Sequence, residues 1–321
     1  MRRYVIRRAI QSVFLLWTIS LISFALMHLA PGGPVQFFED PRMNPADIAA
    51  LEHSLGLDQP LPVQYARWLW GILRLDFGRS YVSHRPVLDL IAERLPATMQ
   101  LSLAWLILGL LGGISLGILA ALKRGSWFDS AVRVFTVAGN ALPHWWLGLM
   151  LIVFFSWVYS LTGFRVVPSG GMYTLGKQND LLDRLWHMAL PALIGALGGW
   201  ITFSRFVRYQ VLEVIGQDYV RTARAKGLPN QMVLTRHVLR NALIPLVTLL
   251  GGALAGLMSG AVLLESVFSW PGMGRLAIEA FFKRDYPLLM ALIMIPSFLV
   301  ILGNLLADIA YGLVDPRVRY D

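Results

Sequence analysis

Six long, predominantly apolar stretches recur along this chain: about Ala9–Ala30, Ala97–Leu122, Ala131–Leu161, His187–Leu212, Leu239–Leu264 and Leu288–Val314. Roughly 20 such residues are what a helix needs to cross a hydrocarbon core of about 30 Å. Lipid offers free backbone groups no partner, so each stretch must close its hydrogen bonds within itself as a helix. The pattern predicts an all-α integral membrane protein with six transmembrane helices. Pro143, Pro191, Pro245 and Pro296 fall inside or beside the spans, where kinks rather than breaks are expected.

Between the first two spans the pattern changes. Residues 31–95 alternate polar and apolar positions with helical spacing and form a small extracytoplasmic helical segment. Asn44 is placed to cap a helix with Pro45 at its first position and Asp47 in its first turn. The break Gly56-Leu57-Asp58 separates it from a second amphipathic helix with Tyr65, Trp68, Leu69 and Leu73. The chain therefore divides into a first span (1–30), this outer segment (31–95) and a five-helix core (96–321) that carries a cytoplasmic loop at 213–238. Basic residues precede the first apolar run, as in a signal peptide. The run is too long for an h-region and lacks a clear small-x-small cleavage site, so it reads as a retained span.

Composition sharpens this picture. Of 321 residues 56% are hydrophobic and 15% charged, against about 25% charged in soluble domains, and the mean hydropathy is +0.58. The absence of cysteine excludes disulfides, thiolate catalysis and Cys-ligated metal or cluster sites. The net charge of +9 follows topology. Arg2, Arg3, Arg7, Arg8, Lys123, Arg124, Arg133, Arg205, Arg208, Arg317 and Arg319 gather on one side. On the other side, acids such as Glu39, Asp40, Asp47, Glu52 and Asp58 offset the cations. The positive-inside rule places both termini in the cytoplasm of a multi-pass protein of a bacterial or archaeal cell membrane.

The run "QDYVRTARAKGLPNQMVLTRHVLRNALIP", Gln217–Pro245, concentrates Arg221, Arg224, Lys226, Arg236, His237 and Arg240 against the acid Asp218. Asp218 can cap a short helix from Tyr219, and Gly227 followed by Pro229 supplies its end. Asn230 can cap a second helix that continues into the fifth span. Tyr219, Thr222, Ala223 and Lys226 share one face of the short helix. Small Thr222, Ala223 and Ala225 admit a close surface, and the flanking cations steer toward an acidic one. Two other readings stand beside this docking element. A DNA-binding helix–turn–helix needs a second helix free to enter a groove, whereas here it runs into the bilayer, so nucleic acid is not expected. A basic loop resting on anionic lipid headgroups explains the charge but neither the caps nor the small residues.

Other patterns are weaker. "GMYTLGKQ", Gly171–Gln178, nearly spells a phosphate-binding loop, yet Gln178 replaces the metal-binding hydroxyl and no apolar strand leads in; it reads as a turn-rich outer loop. Glycines recur every fourth residue at Gly109, Gly113 and Gly117 and at Gly252, Gly256 and Gly260, spacing that suits close helix packing or a moving interface with a partner. Asp308, with Asn304 one turn earlier, reads as a structural partner of an inner basic residue. His28, His53, His84, His144, His187 and His237 are scattered and form no metal constellation. Asn140, Pro143 and His144 interrupt the third span, and "SWPGMG" after the fifth cannot stay helical. Irregular backbone at membrane depth must face protein or a watery cavity.

With "DYVRTARAKGL", "RNALIP", "HLAPGGPV", "DFGRSY", "RLPATMQLSL", "ESVFSWPGMGRL", "DYP" and "DIAYGLVDPRVRY" all present, the chain resembles permease subunits of ABC importers in the dipeptide/oligopeptide/nickel family. The resemblance implies a non-enzymatic membrane subunit without a cofactor of its own. Its partners would be a sister permease, two ATPase subunits carrying ATP and Mg, an extracytoplasmic binding protein and membrane lipid. Di- or oligopeptides are the implied cargo, with nickel or glutathione as alternatives and an ion-coupled secondary transporter as a different class. Asp218, Tyr219, Arg221, Thr222, Ala223, Arg224, Ala225, Lys226 and Gly227 would form the ATPase-coupling helix. Arg221, Thr222 and Ala223 stand at the Glu-Ala-Ala positions of the wider superfamily's motif, so a contact made by the Glu does not transfer. Asn140, Pro143, Glu265, Phe268, Trp270 and Pro271 would line the translocation path or its outer gate.

Overall fold

The structure, a computed structural model, describes residues 2–29, 44, 46, 50, 52–53, 56–246, 249, 257 and 262–314, with side chains described between residues 6 and 305. In chain order the helices are α1 (Arg2–Leu29), α2 (Leu61–Leu73), α3 (Val87–Leu122), α4 (Trp127–Ala141), α5 (His144–Thr162), α6 (Leu181–Ile215), α7 (Asp218–Ala225), α8 (Val262–Val267), α9 (Met273–Phe282) and α10 (Tyr286–Val314). Between α7 and α8 a helical run opens at Asn230–Met232, widens into a π-helix over Val233–Leu239 and returns to α geometry at Arg240–Ala242. Among the described residues, extended pairing is confined to the bridge Arg79–Pro86.

Five described helices are long and apolar enough to cross a membrane: Ile6–Leu29, Val87–Leu122, His144–Thr162, Leu181–Ile215 and Tyr286–Leu305. Half of the expected fifth span, Leu239–Leu264, lies outside the described residues, including its glycines Gly252, Gly256 and Gly260, and so does the side chain of Asp308. Two boundaries move outward. The second span begins at Val87, ten residues before Ala97, and runs through Pro96. The fourth begins at Leu181, where Asp180 accepts hydrogen bonds from the Leu182 and Asp183 N–H groups.

The third expected span is corrected. Ala131–Leu161 is not one helix: α4 ends at Ala141, Leu142 is extended, and α5 starts after Pro143. A residue before proline is pushed out of α geometry and proline has no N–H to donate, so Pro143 breaks the helix where a kink was expected. Pro191 and Pro296, by contrast, remain inside α6 and α10.

Two compact units result, residues 1–96 with 272–321 and residues 97–271. The last span thus groups with the amino-terminal part rather than with the spans that precede it. In the first unit α1 packs along α10. Ser20 and Tyr65 hydroxyls meet at 2.8 Å, and Phe24 meets Tyr65 edge-on, which holds α2 against the carboxy-terminal half of α1. Tyr65, Trp68, Leu69 and Ile72 form the half-buried stripe of α2, and Leu73, its last residue, is exposed. Ahead of α2, Gly56 turns the chain with a φ of 69°, and Asn44 Oδ1 accepts from the Ala46 N–H at 3.4 Å; Pro45 and Asp47 lie outside the described residues. Buried Asp285 accepts hydrogen bonds from Ser80 Oγ at 2.5 Å and the Tyr81 N–H at 3.1 Å, joining the "DFGRSY" turn to the start of α10.

The second unit is built on α3 against α6. A Cβ added to Gly113 would lie 2.7 Å from Phe203 Cβ, and one on Gly117 would lie 2.7 Å from the Ser204 carbonyl oxygen. The first glycine ladder is thus consumed by packing within the chain, with backbones approaching as small residues allow. The "GMYTLGKQ" segment is a loop, turned at Gly171 and Gly176 by positive φ. It is anchored to α6 by Thr174, whose N–H and hydroxyl donate to Asp183 at 2.6 and 2.7 Å.

Candidate coupling face and outer turn

Eight residues are too few to hold a helix in water, so α7 owes its existence to its surroundings. Val220 and Ala223, one turn apart, are 0% and 5% exposed and pack in a cluster with Ala121 of α3, Phe203, Val207 and Val211 of α6, and Val233 and Val238 of the π-helix. The π-helix explains part of that seat: i→i+5 hydrogen bonds bring residues five apart back toward one face, which buries Val233 and Val238 together. At its end α7 closes with a Schellman pair. Gly227, at φ 77°, donates to Arg224 O at 2.9 Å, and Leu228 donates to Ala223 O at 3.4 Å. Gly227 is thus the residue on which the helix ends.

The caps at the start differ from expectation. Gln217, not Asp218, is the N-cap of α7, and it makes no side-chain cap bond; Asp218 is the first helical residue, where its charge favours the helix dipole. Likewise Pro229, not Asn230, precedes the second helix, since its fixed φ already suits the entry.

The shared face also divides. Ala223 turns inward, and its small side chain serves approach to the chain's own core rather than to an outside surface. Tyr219, Arg221, Thr222, Arg224, Ala225 and Lys226 remain exposed. Arg221 and Asp218 pair at 3.4 Å in full solvent exposure, an arrangement of little energetic weight. In the helical run that follows, Pro229, Gln231, Met232, Thr235, Arg236 and Arg240 line a shallow, open depression. The arrangement is a rigidly seated, cationic, solvent-facing helix.

The turn at Glu265–Pro271 is the opposite case. Glu265 and Trp270 are 0% exposed and Phe268 is 1% exposed. Thr98 Oγ1 donates to Glu265 Oε1 at 2.9 Å, Trp270 Nε1 donates to Ala97 O at 2.8 Å, and the Gly171 N–H donates to Phe268 O at 2.8 Å. These three residues hold the turn in place and face no open space in this conformation; Pro271 is half-buried. Asn140 and Pro143 are exposed at the helix break, with the His144 ring packed on Gly198.

One polar pair has no counterpart in the sequence reading. Arg208 of α6 donates from Nε at 2.6 Å and Nη2 at 2.9 Å to Asp129 in the first turn of α4. The Gly125 N–H adds a 3.1 Å bond to the same carboxylate, and Arg133 lies 3.9 Å away. The Arg208 hydrogen bonds, with the Gly125 bond and nearby positive charge, hold the Asp129 pKa at about 2. "SWFD" does show in sequence as a Ser-x-x-Asp cap, and Ser126 Oγ indeed accepts from the Asp129 N–H. Nothing local could name a partner 79 residues away.

The chain has recognisable relatives. Family models for the binding-protein-dependent transport system inner membrane component match residues 113–320 and, for its N-terminal region, residues 1–103. The chain belongs to this family. An oligopeptide transport system permease protein of Bacillus subtilis is 40% identical over the whole of both chains. A dipeptide transport system permease protein of Escherichia coli K12 is 37% identical over 94% of each. Among solved structures, an amino acid ABC transporter described with histidines aligns at a TM-score of 0.51 and 15% identity, covering 72% of this chain and 95% of the other. That likeness speaks to the fold. For this inner membrane component the long apolar helices are spans of a multi-pass permease.

Proposed function

We propose that this permease is one of two membrane subunits of an ATP-driven importer for di- or oligopeptides delivered by an extracytoplasmic binding protein. In this reading both termini are cytoplasmic, and an ATPase subunit, one of two carrying ATP and Mg, engages the face of Tyr219, Arg221, Thr222, Arg224, Ala225 and Lys226. The observation that carries it is the seating of α7. Val220 and Ala223 fix the helix to the inner ends of α3 and α6, so a push on its outer face is delivered to spans rather than absorbed by a loop. Peptide cargo is favoured by the oligopeptide and dipeptide relatives. The exposed break at Asn140–Pro143 supports a place beside the path or the sister permease, since irregular backbone at membrane depth needs such a neighbour. Glu265, Phe268 and Trp270 act in this reading as the fixed frame of the outer gate, behind whatever surface touches cargo.

The chain has no native cysteine, so single-cysteine variants are clean probes. In the complex purified with its partner subunits, Thr222→Cys is expected to crosslink to an ATPase subunit in a nucleotide-dependent way, while buried Ala223→Cys does not. Crosslinking of Thr222→Cys to lipid alone, or gradient-driven peptide uptake by the isolated chain, overturns the proposal.

A further inference from the structure

We propose that Asp129 and Arg208 are a positioning clamp that makes α4 a lever, carrying displacement of α7 to the helix break at Leu142–Pro143. The inference rests on the coupling role proposed for α7 and adds a relay within the chain that no span order requires. Arg208 lies between Val207 and Val211 of α6, both 0% exposed in the cluster that seats Val220 and Ala223. Where α7 moves, that part of α6 moves with it, because close-packed interiors transmit rather than absorb strain. The guanidinium fork then grips Asp129, whose side chain is 2% exposed, through two bonds on separate nitrogens. Two parallel bonds fix orientation as well as distance, so the first turn of α4 follows α6 in angle and not merely in position.

The other end of α4 is made differently. Leu142 is extended at φ −100°, ψ 129°, and Pro143 caps α5 without a side-chain bond. Backbone at a helix break is where a few residues can absorb a change in φ and ψ. Val132 and Thr136 are buried as well and Gly139 sits against Ile201 of α6, so α4 turns with α6 as one piece and the change in angle falls on Leu142 and Pro143, beside exposed Asn140.

The test uses the full transporter in proteoliposomes, reading ATP hydrolysed per peptide taken up together with the amount of assembled complex. Asp129→Asn and Arg208→Lys, which keep size or charge but lose the fork, are expected to raise that ratio about tenfold, a shift of the size that altered coupling networks give. Assembly should stay near the wild-type amount. The exchanged pair Asp129→Arg with Arg208→Asp should bring the ratio back toward wild type, and Pro143→Ala, with the clamp intact, should raise it. Unchanged ratios, or hydrolysis and uptake falling together with assembly in every variant, overturn the lever. Failure of all the clamp variants to assemble makes the pair structural and overturns it equally. A wild-type complex whose hydrolysis never responds to peptide and binding protein overturns the importer reading and this inference with it.

Discussion

Asp129 shows how much one side chain's surroundings decide. Its folded pKa of about 2 lies below the roughly 3.9 expected of an unfolded aspartate. A depressed carboxyl pKa contributes stability above the unfolded value and loses it as pH falls toward the folded one. The melting temperature difference between wild type and Asp129→Asn in detergent should therefore be constant from pH 8 to about pH 5, then shrink between roughly pH 4 and pH 2. A difference that fades near neutral pH would contradict the geometry. At this scale the sequence is legible where a residue's partner is its own backbone. Gly227 announces a left-handed helix end because few other residues tolerate that φ, and the structure places it there at 77°. Asp129, Thr98 and Asp285 carry no such signal, since their partners Arg208, Glu265 and Ser80 lie 79 to 205 residues away.

Helices were legible by hydropathy, yet hydropathy averages over the places where an element changes character. Ala131–Leu161 averages as one apolar stretch despite Arg133, Asn140 and His144, and the steric demand of Pro143 on Leu142 separates α4 from α5. The π-helix Val233–Leu239 leaves no mark in composition, because its cause is the tertiary need to bury Val233 and Val238 at once. The short α7 was visible as a capped, cationic segment, but its inward face was not: Ala223 read as a docking residue because smallness alone does not say which neighbour comes close. If burial rather than propensity holds α7, Val220→Ala should weaken its seat by about 2 kcal/mol. Hydrogen exchange should then accelerate at residues 218–226 with little change elsewhere. Thr222→Ala, on the exposed side, should leave the exchange pattern as it is.

On the scale of the molecule, span length and the small share of charge pointed to a multi-pass membrane protein, while the grouping of helices into units did not follow from span order. The unit 97–271 is held where its ends meet, by the Trp270 indole on the Ala97 carbonyl. Trp270→Phe removes that buried bond and leaves a small void, for a cost of about 2–3 kcal/mol. Its thermal midpoint should fall accordingly, whereas Trp127→Phe, at a side chain 81% exposed, should not shift it.

That indole bond has a consequence for ancestry as well as strength. Trp270 needs a carbonyl held at the place of Ala97, which lies inside the continuous helix α3, so the two ends of this stretch are constrained as a pair. Recombination among permeases of this kind should therefore keep residues 97 and 270 of one parentage.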